Sequence, residues 1–438
     1  MRIDRLTVDH FKGFEHREFS FHPQVNLLVG ENGTGKTSVL DALSVAMGGW
    51  LLGIRGYDTR HIRNHEVQLQ PMPQVVGESA RSGAVNWENV YPCSVETSGE
   101  VMGQHLTWRR ALNDTRSKTT YVDARNIKKL AAGADHAVRS GDHVVLPLIS
   151  YYGTGRLYDV PRNEYKIGSG KELRRKAALS RLSGYDKSVD PRMSVEGLTR
   201  WIAEQSWIAF QQGRPTSTWS AVSHAILACI EGATDIYFDA QRGEVIVALG
   251  ERCIQPFVNL SDGQRSLLAM VGDIARKAAT LNPALGEAVL AETPGVVLID
   301  ELDLHLHPVW QRRVIEDLRT VFPKIQFFAT THSPFLIQSL RSGEELVMLH
   351  GSPDAHLGNQ NLEDIADGIM GVVNPAVSLR YAEMKDVAAN YLQSLDCTPP
   401  SSGLPALRER LSAAIAPYAD NPAYQAFLEL KQAVRLGD

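Results

Sequence analysis

The first thirty positions alternate between apolar pieces of strand length and charged turns: Ile3 to Val8, Glu18 to Phe21, then Val25-Asn26-Leu27-Leu28-Val29. The last is a nearly continuous apolar run of the kind a buried strand shows. From Thr37 the period changes, and Val39, Leu40, Leu43 and Ala46 recur at helical spacing until Gly48-Gly49, which predicts a helix that breaks there. Between Val67 and Thr120, short β-like pieces (Ala84 to Tyr91, Val101 to Arg110) separated by Gly, Asn and Ser predict a small antiparallel layer. A helix is expected over Asp123 to Ala134, and Val144 to Tyr152 reads as another buried strand, ending at Gly153-Thr154-Gly155-Arg156.

Leu157 to Gly232 reads as helical, most clearly over Val195 to Gln212 and Trp219 to Ile230. Strand signals return at Ile236 to Phe238, Val245 to Leu249 and Ile254 to Val258, with Arg242-Gly243 as a hairpin turn, and a helix begins after Ser261. Val296 to Ile299 and Ile325 to Ala329 are two more buried strands. A helix from Pro308 to Val321, with Trp310, Val314, Leu318 and Val321 on one face, joins them as a βαβ unit. Beyond a linker at Thr398 to Gly403, two amphipathic helices are expected over Leu404 to Ala416 and Pro422 to Leu436. The resulting division is residues 1–160 and 233–385 as two lobes of one α/β domain, a mostly helical insertion over 161–232, and a helical tail over 386–438.

A chain of 438 residues is long enough for one large or two ordinary domains. With 45 Lys and Arg against 50 Asp and Glu, it is mildly acidic and not a basic nucleic-acid clamp as a whole. Any phosphate backbone must meet a local patch, for which Arg109, Arg110, Arg116, Lys118, Lys128 and Lys129 and the run Lys171, Arg174, Arg175, Lys176 are candidates; a solvated charged face is the alternative. Cys93, Cys229, Cys253 and Cys397 stand far apart, against a zinc ribbon or a disulfide framework. Met1 to Arg5 mixes both charges and no apolar run reaches bilayer length, so the expectation is a cytoplasmic protein without a membrane span. No internal repeat or sustained heptad run is visible.

Gly30-Glu31-Asn32-Gly33-Thr34-Gly35-Lys36-Thr37 fits the phosphate-loop pattern G-x-x-x-x-G-K-[ST], between an expected strand and an expected helix. Its glycines let backbone N–H groups wrap phosphates at a helix N-terminus, Lys36 reaches the β- and γ-phosphates, and the Thr37 hydroxyl serves Mg²⁺. Val296 to Ile299 running into Asp300-Glu301 has the form of a Walker B element, in which Asp300 holds Mg²⁺ and Glu301 polarises the attacking water as general base. Leu260-Ser261-Asp262-Gly263-Gln264-Arg265 resembles the LSGGQ signature of ABC-type ATPases, with Asp at one Gly position. Read from the residues alone, Ser261 is equally a helix N-cap. Glu301 to Pro308 resembles that superfamily's D-loop, and Thr330-Thr331-His332-Ser333-Pro334 its switch-histidine segment, in which His332 bonds the γ-phosphate. His305 and His307 have metal-ligand spacing but no evident third ligand.

Leu6 to Phe14 resembles the opening of RecF, Rad50 and SMC-type ATPases, with Lys12 either near the nucleotide or in a solvated turn. The fold implied is an α/β P-loop NTPase of ABC type: a mixed sheet with flanking helices, an antiparallel β layer, a helical insertion and a short helical tail. Tyr151 to Arg156 occupies the Q-loop slot without an obvious Gln. The lack of a coiled coil between Gly48 and Asn259 argues against a full-length SMC protein. The closer resemblance is to compact PtuA-like ATPases of Septu and retron-associated anti-phage defence. It implies an ATPase using ATP and Mg²⁺, working as a head-to-tail dimer around two ATP molecules, with an HNH nuclease subunit and sometimes a retron RNA–DNA product as partners. The nucleotide-binding set it implies is Gly30, Glu31, Asn32, Gly33, Thr34, Gly35, Lys36, Thr37, Ser38, Ser261, Asp262, Gly263, Gln264 and Asp303; Glu301, His332 and Lys36 are the catalytic residues, Thr37 and Asp300 the metal ligands. The competing expectation is a RecF-like repair ATPase that binds DNA itself.

Overall fold

A computed structural model describes residues 1–71, 87–156, 180–193, 195–250, 253–350, 361–372, 375, 378–396 and 404–415. The chain divides into two compact units, Met1–Gln360 and Asn361–Asp438. The division falls upstream of position 386, where the tail was expected to begin.

The first unit opens with strands β1 (Arg2–Phe11), β2 (Phe14–Ser20) and β3 (Val25–Val29), followed by helix α1 (Lys36–Leu51). Short strands β4 (Leu69–Pro71) and β5 (Trp87–Asn89) pair with each other, and β6 (Cys93–Val101) and β7 (Gln104–Leu112) form a hairpin. The strand expected over Val101 to Arg110 is thus broken by the turn at Met102-Gly103, where both residues have positive φ. Helix α2 (Arg125–Ser140) starts later than expected and runs on to Gly141, whose left-handed backbone ends it. Then come β8 (Leu148–Tyr152), α3 (Val195–Gln212), α4 (Ser217–Cys229), the antiparallel strands β9 (Ala233–Asp239), β10 (Glu244–Leu249) and β11 (Cys253–Pro256), and α5 (Asp262–Leu281). After α6 (Val289–Glu292) lie β12 (Gly295–Ile299), α7 (Pro308–Gln311), α8 (Val314–Val321), β13 (Ile325–Thr330), α9 (Pro334–Gln338) and β14 (Leu346–Met348).

Two sheets frame the unit. β2-β1-β6-β7 is antiparallel; β14-β3-β13-β12-β8 is parallel, with the βαβ pair β12 and β13 at its centre. Helix α1 packs against strands of both sheets and is buried almost all round, so it carries apolar residues on every side. It does not stop at Gly48-Gly49. A Cβ on Gly48 would stand 2.9 Å from the Arg60 nitrogen and one on Gly49 3.1 Å from the Trp108 ring, so the glycines let neighbours close on a continuing helix. Trp108 Nε1 donates to the Ala46 carbonyl at 2.9 Å in the same contact. The single helix expected over Pro308 to Val321 is two, with a turn at Arg312-Arg313 where Gln311 is tied to the Leu306 carbonyl and the Ser333 hydroxyl.

Side chains alternate across β8. Tyr151 turns to α1, its hydroxyl 3.4 Å from Asp41, while Ser150 and Tyr152 turn to α5. There Asp273 accepts from the Tyr152 hydroxyl (2.9 Å), Arg276 (2.6 Å) and Lys277 (2.9 Å), and Lys277 also donates to Ser150 Oγ (2.7 Å). The second unit contains α10 (Leu362–Gly368), capped by the Asn361 side chain, and α11 (Leu379–Asp396), which packs on α12 (Leu404–Ile415) with Leu411 buried. The helix expected over Pro422 to Leu436 lies outside the described residues. Among those residues Cys93, Cys229 and Cys253 are free thiols, and no helix is long and apolar enough to cross a membrane.

Burial disfavours the charged Asp273 carboxylate, but Lys277 and Arg276 outweigh it and hold the carboxyl well below the usual range. A depressed folded-state pKa contributes stability that is complete above the unfolded carboxylate's value of about 3.9 and is lost as the pH falls below it toward the folded value. Asp273→Ala leaves two cations without their carboxylate, and the urea midpoint should fall by the equivalent of about 3–5 kcal/mol at neutral pH. The deficit against wild type should shrink below about pH 4.

Candidate nucleotide site

Because β3, β13, β12 and β8 run parallel and in register, with Thr330 opposite Leu28, Ala329 opposite Ile299 and Ile299 opposite Tyr152, the loops after all four leave the same edge of the sheet. Ligands of open α/β sheets bind at this carboxyl edge. Four of the motifs read from the sequence meet there.

The loop Gly30–Thr37 follows β3 and enters α1 through Gly35, whose φ is 98°. Lys36 donates to the carbonyls of Gly30 (2.7 Å) and Glu31 (2.9 Å). Burial lowers its ammonium pKa, and the carboxylates of Asp300, Glu301 and Asp303 oppose that shift. Thr37 Oγ1 lies 3.3 and 3.2 Å from the two carboxylate oxygens of Asp300, although 263 residues separate them. A hydroxyl and a carboxylate converging at an exposed helix start are hard oxygen donors suited to Mg²⁺. The N–H groups of the first turn of α1, around Lys36, Thr37 and Ser38, face the anion-binding end of the helix.

Thr330, the last residue of β13, donates to Asp300 Oδ1 (2.7 Å) and accepts from the Glu301 N–H (2.7 Å), so one hydroxyl sets both Walker B acids. Glu301 has φ 49°, a left-handed conformation that costs a non-glycine residue about 1–2 kcal/mol. Thr331 donates to Asp303 Oδ1 (2.6 Å), which also accepts from the His332 N–H (3.3 Å). Asp303 therefore holds the start of the segment that follows β13, with the His332 side chain exposed. Sequence reasoning gave Thr330 and Thr331 no role; two threonines at the carboxyl end of a buried strand were the available signal.

Ser261 is the N-cap of α5 in a capping box with Gln264: the Gln264 N–H donates to Ser261 Oγ (3.3 Å) and the Ser261 N–H to Gln264 Oε1 (3.1 Å). Asp262 pairs with Arg265. A Cβ on Gly263 would stand 2.2 Å from the His305 carbonyl, so only glycine lets the D-loop lie on the start of α5. A second link is Arg156, which the sequence placed in the Q-loop slot without a function. It donates to Ser266 Oγ of α5 (2.6 Å) and to the carbonyls of Asp300 (2.8 Å) and Glu301 (3.1 Å).

Other candidates land differently. Lys12 forms an ion pair with Asp41 of α1. Arg110 is fully buried and bonds to the Thr120 carbonyl and the Thr59 hydroxyl, which removes it from any phosphate-binding surface; burial pushes its guanidinium down to about 10. Arg109 bonds to Ser94, and Lys128 lies 4.9 Å from the centre of the Tyr121 ring. Lys171, Arg174, Arg175 and Lys176 lie outside the described residues. The His307 ring caps α7, and among the described residues no cluster of three or more His, Cys, Asp or Glu side chains is placed to hold a metal.

A family model described as "AAA domain" matches residues 5–198, and another, "AAA domain, putative AbiEii toxin, Type IV TA system", matches residues 104–338, more than half of the chain. Among curated proteins, "Retron Ec83 probable ATPase" of Escherichia coli is 23% identical over 416 residues, covering 80% of this chain and 72% of that protein. "Septu protein PtuA" of Bacillus thuringiensis is 31% identical over 137 residues, covering 31% of this chain and 32% of that protein, a local match. Among solved structures, the SMC head domain from Thermotoga maritima is 17% identical with a TM-score of 0.36, covering 80% of this chain and 94% of that one. With its phosphate loop and Walker B acids brought together at one sheet edge, this chain belongs to the AAA-domain family that the second model describes, and it is an ATPase.

Proposed function

We propose that this ATPase dimerises head to tail around two ATP molecules and that ATP-dependent closure regulates a partner effector, an HNH nuclease, in anti-phage defence in the cytoplasm. The observation that carries the ATP chemistry is the convergence of Thr37 and Asp300 beside Lys36. Bound there, Mg²⁺ would neutralise charge on the β- and γ-phosphates. The chain's own residues do the rest. The phosphate-loop amides and Lys36 hold the phosphates, Glu301 polarises the attacking water, and the His332 side chain, exposed at the same edge, bonds the γ-phosphate.

The head-to-tail dimer is supported by the resemblance, since the chain carries one phosphate loop and one signature. Ser261, Gly263 and Gln264 open their own helix, so a partner's signature can close over the ATP held by this chain's loop, with two-fold symmetry making both sites equivalent. Loss of the γ-phosphate then removes contacts made only in the closed state, which makes closure a switch. The defence role is supported by likeness to proteins named as a retron ATPase and a Septu component. The burial of Arg110 weakens the alternative of a RecF-like protein that grips DNA through that stripe.

Glu301→Gln should lower ATP turnover about 100-fold or more while ATP still binds, and its mass by light scattering should double in ATP. A monomer in saturating ATP contradicts the dimer. Tagged Glu301→Gln recovered from its host with neighbouring genes intact should bring down a stoichiometric HNH protein; recovery of repair proteins, or of the ATPase alone on DNA, replaces the defence reading with repair. Gly263→Ala forces the signature away from the D-loop and should cost about tenfold or more in turnover with ATP binding retained, measured by steady-state hydrolysis and equilibrium dialysis.

A further inference from the structure

Arg156 ends the segment Tyr151–Arg156, which occupies the Q-loop slot without an obvious Gln, and it is 2% exposed. Among the described residues its acceptors are neutral oxygens from three separate segments: the Gly153 carbonyl in its own loop (3.3 Å), Ser266 Oγ on α5, and the Asp300 and Glu301 carbonyls after β12. A planar guanidinium has a fixed donor fork that can serve several such acceptors at once, which a lysine cannot reproduce. Burial pushes its pKa down to about 10 against the opposing pull of Asp300, Glu301 and Asp303, so it remains a cation at neutral pH.

The Glu301 peptide is pinned on both sides. Its N–H goes to Thr330 Oγ1 and its carbonyl accepts from Arg156 as well as from the Leu304 N–H (3.0 Å). A left-handed glutamate persists only where its surroundings over-determine it, and these bonds are that determination. Since Nε of the same guanidinium bonds α5 five residues after Ser261, the helix that opens with the signature and the backbone of the water-polarising acid share one rigid side chain.

We propose that Arg156 is a positioning residue for ATP hydrolysis, locking the Glu301 peptide to Ser266 so that displacement of the signature helix reaches the Glu301 carboxylate. The proposal rests on the reading of Glu301 as general base. Arg156→Lys keeps the cation and loses the fork, so kcat should fall about 100-fold, the cost of a misplaced catalytic group, while KM for ATP stays within about threefold. Ser266→Ala should lower kcat about tenfold, and the double variant should be no slower than Arg156→Lys alone, because both cut one link. Wild-type kcat in Arg156→Lys, a rise in KM matching the fall in kcat, or additive losses in the double variant overturn the proposal. If Arg156→Lys does not fold, Ser266→Ala decides, and an unchanged kcat there overturns it too. Glu301→Gln assayed alongside separates the two readings. Wild-type turnover in Glu301→Gln removes the general-base reading and this proposal with it, whereas an inactive Glu301→Gln beside a fully active Arg156→Lys removes only the role of Arg156.

Discussion

The structure depends on the parallel register of β3, β13, β12 and β8. Parallel strands need crossovers, and here the crossovers are long enough to separate Thr37 from Asp300 by 263 residues of sequence while their side chains stand 3.2 Å apart. The register puts the last residues of four strands in one row, so each loop that follows delivers its polar groups to the same edge. A one-residue slip of β12 would turn its buried positions over and carry Asp300 away from Thr37.

Within that frame the acids are set by short, directional bonds. Thr330 fixes Asp300 and the Glu301 N–H, Thr331 ties Asp303 to the start of the segment carrying His332, and Arg156 reaches across to the helix that opens with Ser261. The Asp273 cluster holds that helix to β8, and Tyr151 on the opposite face of β8 points to Asp41 of α1. Strand β8 is thus bonded on one face to α1, which begins in the phosphate loop, and on the other to α5, which begins at Ser261.

What was legible in the sequence was local. The phosphate loop, the apolar strand ending in two acids and the Ser261 N-cap each lie within a few consecutive residues, so pattern alone locates them. What was illegible depends on partners distant in sequence. Apart from the Gly153 carbonyl in its own loop, the acceptors of Arg156 lie 110, 144 and 145 residues away, and nothing near position 156 signals them. The continuation of α1 through Gly48-Gly49 depends on Arg60 and Trp108 closing on it, and the burial of Arg110 on which face of β7 meets the core. Local propensity read two glycines as a stop and an arginine as surface; tertiary packing overrode both.

The metal site proposed for the hydrolytic centre is Asp300 with Thr37. Its most direct test is the Mg²⁺ dependence of ATP turnover by the wild-type chain and by Asp300→Asn, each checked by melting temperature. If Asp300 holds Mg²⁺ there, turnover depends on Mg²⁺ and falls about 100-fold or more in Asp300→Asn, with the remaining activity requiring higher Mg²⁺. Equal turnover and equal Mg²⁺ dependence in the two proteins would contradict it.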